Sequence, residues 1–134
     1  MEFKKFKNIE YIEKKPLCYS GKMPTLIYLH GAGTRFGTLE NLSKNQFYED
    51  YCVFSKDESD FLCFTPLCNA NSWFDIFEQL KEFVKEIVNR DDVDKDRVYL
   101  TGSSMGGYGC WQLAMSMPDT FAAIVPICGG GMYW

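Results

Sequence analysis

At 134 residues the chain has room for one domain, so residues 1–134 are read as a single folding unit. A net charge of −4 offers no basic face for nucleic acid and no cationic anchor for a membrane surface. The opening run Met1-Glu2-Phe3-Lys4-Lys5-Phe6-Lys7 carries charge with no apolar stretch behind it, so no secretory leader is expected, and no run approaches a transmembrane length.

Ile9 to Ser20 alternates in the manner of an outer strand or hairpin arm, interrupted at Pro16. Thr25-Leu26-Ile27-Tyr28-Leu29 is a continuous apolar run, the pattern of a strand buried on both faces of a parallel sheet. It runs into His30-Gly31-Ala32-Gly33. Glycines after a strand invite a dinucleotide-binding reading, but the third glycine of that fingerprint would fall on Phe36, and Gly37 is one place late. A nicotinamide or flavin site is therefore discarded.

Thr38 to Tyr51 is polar, with Leu42, Phe47 and Tyr48 spaced like one face of a short helix. Phe61-Leu62-Cys63-Phe64-Thr65-Pro66 reads as a second buried strand. The segment after it, Pro66 to Trp73, follows a strand end and so belongs on the ligand side of such a sheet. Trp73 is either a wall of a substrate pocket or a hydrophobic staple for the helix it precedes. Ser72 is a candidate N-cap with Asp75 three residues on. Ile76, Phe77, Leu80, Phe83, Val84, Ile87 and Val88 form a helical stripe.

Asp92-Val93-Asp94-Lys95-Asp96 imitates the start of a calcium loop, yet Arg97 stands where glycine is needed and Ser103 where glutamate is needed. It reads as a solvated turn between helix and strand. Arg97-Val98-Tyr99-Leu100-Thr101 is then a strand, and Gly102-Ser103-Ser104-Met105-Gly106 fits G-x-S-x-G, the nucleophile elbow. The pattern has a physical basis. A serine in a strained strand-to-helix turn points its hydroxyl above the sheet edge. The positions two before and two after must be nearly free of side chain, because strand and helix cross there. Only Ser104 sits at the centre of the pattern. Gly106, Gly107 and Gly109 are costly inside a helix and make sense if that helix presses on the sheet.

With an elbow on the page, the earlier H-G-x-G loop gains a role. The amide of Ala32 or Gly31, together with that of Met105, would stabilise the oxyanion formed when serine attacks a carbonyl. The helix starting near Ser104 adds its positive dipole end. The alternation of strand and helix argues for an α/β fold, a mostly parallel sheet with helices on both faces.

The six cysteines, Cys18, Cys52, Cys63, Cys68, Cys110 and Cys128, include no C-x-x-C pair, and with one histidine no zinc site is expected. Free buried thiols in a reducing compartment, hence a cytoplasmic location, are the reading they favour.

His30 to Gly37, Asp96 to Gly109 and the run Phe121-Ala122-Ala123-Ile124-Val125-Pro126-Ile127-Cys128-Gly129-Gly130 together resemble the α/β-hydrolase fold. Within it they are most similar to the esterases and polyhydroxybutyrate-depolymerase-like enzymes related to prolyl oligopeptidase. The resemblance spans about residues 20 to 131. It implies a carboxylic ester hydrolase with Ser104 as nucleophile, a small-molecule ester substrate and no cofactor or metal.

One departure stands beside the match. Such enzymes order their triad as Ser, then Asp or Glu, then His. Here no histidine follows His30, and Asp119, beside Pro118, reads as a turn residue. The expectation is therefore a truncated α/β-hydrolase core lacking its last strands. Three explanations compete: a fragment of a longer esterase, completion by another chain, or His30 as an improvised base. A histidine opening an H-G-x-G loop more naturally holds that loop. A truncated sheet would expose an apolar edge, so a homo-oligomer is expected. The different-class alternative is a non-catalytic, self-associating remnant.

Overall fold

The computed structural model describes residues 1–44 and 61–129. The expected helical positions Phe47 and Tyr48, and also Cys52 and Gly130, lie outside them. Among the described residues, six strands form one sheet in the order β1-β2-β4-β3-β5-β6. These are β1 (Glu2–Phe6), β2 (Ile9–Lys14), β3 (Met23–Leu29), β4 (Leu62–Pro66), β5 (Val93–Ser103) and β6 (Ala123–Ile127). The pairs β3–β4, β3–β5 and β5–β6 are parallel, while β1–β2 and β2–β4 are antiparallel. The mostly parallel sheet is thus present, with an antiparallel hairpin on one side.

That hairpin bears out the hairpin-arm reading of the segment from Ile9 and corrects the outer-strand one. Ile9 to Lys14 is an interior strand between β1 and β4, and the edge is β1, which was not expected. Its charged residues conceal a period-2 pattern in which Phe6 packs on the core and Lys5 is exposed. Lys7, with φ of 52°, makes the turn between the two strands.

Side chains alternating along each strand build two cores. On one face Ile27, Leu29, Leu62 and Phe64 pack with Leu80, Phe83, Val84 and Ile87 of α2 (Phe77–Val88) and with Met105, Cys110 and Leu113 of α3 (Met105–Ser116). On the other, Ile12, Tyr28 and Cys63 pack with Leu39 and Leu42 of the single-turn α1 (Leu39–Leu42). Helices therefore cover both faces, as expected. Each fully buried Leu, Ile or Phe contributes about 1.5–3 kcal/mol, so the α2–α3 face is the larger source of stability.

The stripe read for α2 is the buried one. Ser72 caps the short 3-10 turn Trp73–Ile76 that leads into it, accepting a hydrogen bond from the Phe74 amide at 3.2 Å. The turn before β5 is less solvated than expected. Asp92 pairs with Arg90 at 2.7 Å, and Arg90 reaches across to Glu13 at 2.6 Å. The Glu13 side chain is buried and also takes Lys4 at 3.1 Å. Burial alone would raise its pKa, but hydrogen bonds from Arg90 and Lys4 overcome that and hold the carboxyl below its ordinary range. The Arg90 guanidinium also lies 5.0 Å from the Phe64 ring centre. This cluster ties the hairpin to the helix-to-strand turn.

Candidate active site

The parallel strands β3, β4 and β5 end at one edge of the sheet, and each delivers a loop there. β5 leads into Ser104, whose φ of 55° and ψ of −112° lie outside the regions open to ordinary residues. The side chain is exposed. The turn is held because the Ser104 amide donates to the Ile127 carbonyl at 2.7 Å, and because its own carbonyl accepts from Tyr108 at 3.2 Å. Strain of this kind persists only where the surroundings over-determine it.

The glycines around Ser104 make the crossing possible. A Cβ on Gly106 would collide with the Leu29 carbonyl, and one on Gly102 would stand 2.5 Å from the Gly106 oxygen. Gly107 meets Gly129 backbone to backbone, with an added Cβ at 2.9 Å, and Gly109 packs against Leu29 and Trp73. The helix is pressed onto β3 and β6 as its glycine content anticipates. The Met105 amide, at the first turn of α3, has no acceptor within its own helix and lies where the helix dipole is positive.

β3 delivers His30 and Gly31. A Cβ built on Gly31 would be 3.7 Å from the Ser104 Cβ and 3.2 Å from the Ser103 carbonyl, so the loop runs beside the serine. Ala32–Thr34 then forms one 3-10 turn with Ala32 and Gly33 exposed. Of the three expected donors, Gly31 thus lies beside Ser104, Met105 follows Ser104 at the start of α3, and Ala32 is the next residue along the loop from Gly31.

His30 is fully buried. Its Nε2 accepts the Cys68 amide at 2.9 Å, so the proton sits on Nδ1, which donates to the Gly31 carbonyl at 2.7 Å. Burial lowers its pKa to about 4, so the ring is neutral at pH 7. With both nitrogens taken by backbone groups, the ring has none left for a serine proton. The geometry favours the loop-holding role over the improvised base.

Trp73 is also fully buried. Its indole N–H donates to the His30 carbonyl at 3.0 Å, and its ring centre lies 5.0 Å from the imidazole. A side chain enclosed in this way does not wall an open pocket, which corrects that alternative. Nor is it only a staple, since it fixes the strand end from which the loop departs. The trio His30, Trp73 and Cys68 escaped sequence reasoning because it joins β3, the loop after β4 and a 3-10 turn. Its one visible signal was an aromatic with a polar handle directly after a candidate cap.

Among the described residues, no group of three or more His, Cys, Asp or Glu side chains is placed to hold a metal ion, and no helix is long and apolar enough to cross a membrane. Cys63, Cys68 and Cys110 are free and buried, and burial pushes the Cys110 thiol up to about 12.

Residues 72–130 match the prolyl oligopeptidase family, peptidase S9. The chain is 25% identical over 138 aligned residues to poly(3-hydroxyalkanoate) depolymerase C of Paucimonas lemoignei, covering 92% of this chain and 32% of that protein. It superposes on a thermostable esterase with a TM-score of 0.75 and 26% identity, covering 98% of this chain and 41% of the other. Est1E from Butyrivibrio proteoclasticus shares the fold at a TM-score of 0.73 and 17% identity, over 96% of this chain and 50% of Est1E. The chain therefore spans between a third and a half of the length of these relatives. By its sheet order, its elbow geometry and these likenesses, the chain has the α/β-hydrolase fold and is similar to esterases of that fold.

Proposed function

We propose that Ser104 is the nucleophile of a carboxylic ester hydrolase, with the amides of Met105 and of Ala32 or Gly31 as oxyanion hole. The observation that carries this reading is the strained, exposed Ser104, hemmed by Gly102 and Gly106 and flanked by the loop that starts at Gly31. The serine oxygen would add to the ester carbonyl carbon, and the carbonyl electron pair would move onto oxygen, facing those amides. Collapse would expel the alcohol, which takes up the proton that left serine. Water would then split the acyl-serine to the acid and restore the hydroxyl.

The proton needs a carrier. The only histidine of the sequence is His30, and its ring is engaged. The reading therefore assigns the general base to an imidazole from outside these 134 residues, with His30 as a positioning residue. Occupancy of both His30 nitrogens is also what favours the second reading, a non-catalytic remnant. Self-association through β6 and a reducing compartment, consistent with the free buried thiols, belong to the same proposal.

Hydrolysis of 4-nitrophenyl acetate by the chain and by Ser104→Ala, each with imidazole added in place of the base these 134 residues lack, separates the two readings. Turnover that falls in the variant to the residual level left by oxyanion stabilisation and binding alone, about 10³–10⁴-fold over water, supports the nucleophile. Equal rates for both proteins would favour the remnant.

A further inference from the structure

Among the described residues, the non-glycine residues with positive φ are Lys7, Phe36, Ser104 and Cys128. Lys7 turns the β1–β2 hairpin, at a distance from the elbow. The other three follow the C-terminal ends of β3, β5 and β6, so backbone strain gathers at the edge that carries Ser104. Ser104 is explained by the elbow, and Cys128 follows Ile127, whose carbonyl holds the Ser104 amide. Phe36 has no such explanation.

Phe36 combines two unfavourable features. Its φ of 61° is disfavoured for a bulky side chain, and its ring is 61% exposed, so no burial compensates. The loop nevertheless fixes it from several sides. Its amide donates to the Cys68 carbonyl at 3.3 Å. The preceding Arg35 clamps the turn, donating from Nε to the Ala32 carbonyl and from Nη1 to the Asn71 carbonyl, each at 2.9 Å. Cys68 in turn is tied to His30, which adjoins Gly31 beside Ser104. An exposed aromatic residue thus has its backbone held in one strained conformation, on the loop that brings the proposed oxyanion donors.

We propose that Phe36 is a specificity-determining residue that forms an aromatic wall of the ester site and selects substrates with an aromatic ring next to the scissile carbonyl. Ring stacking gains from an exposed aromatic face, and a backbone already fixed lowers the ordering cost of presenting it. The proposal rests on Ser104 being the nucleophile.

Phenylboronic and n-butylboronic acids, which form tetrahedral adducts with an activated serine, test it by calorimetric titration of the chain in imidazole buffer, the imidazole standing in for the outside base. The phenyl compound should bind more tightly to the wild type, and both should lose binding in Ser104→Ala. Phe36→Gly and Phe36→Ala should weaken the phenyl compound about 3- to 10-fold while changing the butyl compound less than about 2-fold, and Phe36→Tyr should restore the preference. Phe36→Gly should also raise the melting temperature by a few degrees, because glycine accepts the left-handed backbone. Serine-dependent binding with an unchanged phenyl-to-butyl ratio in Phe36→Gly would overturn this inference and leave the nucleophile standing. Absence of serine-dependent binding by either compound would overturn both.

Discussion

The indole N–H of Trp73 is donated to the carbonyl of His30 at 3.0 Å, with the two rings 5.0 Å apart. Through this bond a buried side chain on the turn before α2 sets the end of β3, and with it the loop that runs beside Ser104. Trp73→Phe keeps most of the apolar volume but leaves the His30 carbonyl unpaired in the interior. That should cost about 1–3 kcal/mol, read as a lower urea midpoint with an unchanged slope.

His30 makes stability depend on pH. Its folded-state pKa of about 4 lies below the unfolded value near 6.5. The unfolded chain thus binds a proton over this interval that the folded chain refuses. Stability is full above about pH 6.5 and falls as the pH drops toward 4, by about 3 kcal/mol in all. His30→Gln should flatten this part of a urea-midpoint profile, at some cost at pH 7 from altered hydrogen bonds. A wild-type profile already flat between pH 4 and 6.5 would contradict the buried neutral ring.

The elbow predicts opposite effects from glycine and alanine. Ser104→Gly relieves the positive φ and should raise stability by about 1–2 kcal/mol, whereas Ser104→Ala keeps the strain and should be near neutral. At Gly106 the order reverses. An alanine there would drive its Cβ into the Leu29 carbonyl and should cost about 3 kcal/mol or more, while Gly33→Ala, with nothing within 4 Å, should do little. Thermal melts of these four variants check the set.

How much of this was legible can be argued residue by residue. The β3 and β5 strands, the α2 stripe and the elbow were readable because each is local: its signal is a run, a period or a glycine spacing within a few neighbours. The β1 edge strand was missed because Lys4 and Lys5 mask its alternation. The buried role of Glu13 was missed for a different reason. Its partner Arg90 is far away in sequence, and a lone glutamate among lysines reads as surface. Likewise His30 offered two readings until its two hydrogen bonds were seen, since a ring's partners are set by loops whose course no local pattern reveals.

That Glu13 cluster carries its own prediction. Glu13 has a depressed folded-state pKa, so its contribution is present above the unfolded value near 4.3 and is lost as pH falls through the folded value. Glu13→Gln at pH 7 leaves Arg90 with Asp92 alone in a half-buried site and should cost about 3 kcal/mol. Chemical denaturation at pH 7 should show that loss and a weaker acid dependence below about pH 4.5 in the variant.

Among the described residues β6 is an edge strand, on which Val125 is 59% and Ile127 38% exposed. Because the Ile127 carbonyl faces β5, strand alternation turns the backbone of Pro126 outward, and proline offers no N–H to a further ladder. The proposed self-association should therefore depend on the apolar side chains. Sedimentation of the wild type should show about twice the monomer mass, and Val125→Lys with Ile127→Lys should return it to monomer. A monomeric wild type at high concentration would remove this part of the proposal.

The central claim is that Ser104 is a nucleophile once a base is supplied, and intact-mass analysis after treatment with a fluorophosphonate, with imidazole added in place of the base these 134 residues lack, tests it most directly. The account predicts a single adduct on the wild type and none on Ser104→Ala, with labelling kept in His30→Gln provided that variant folds. No adduct on folded wild-type protein, or an equal adduct on the alanine variant, would contradict it.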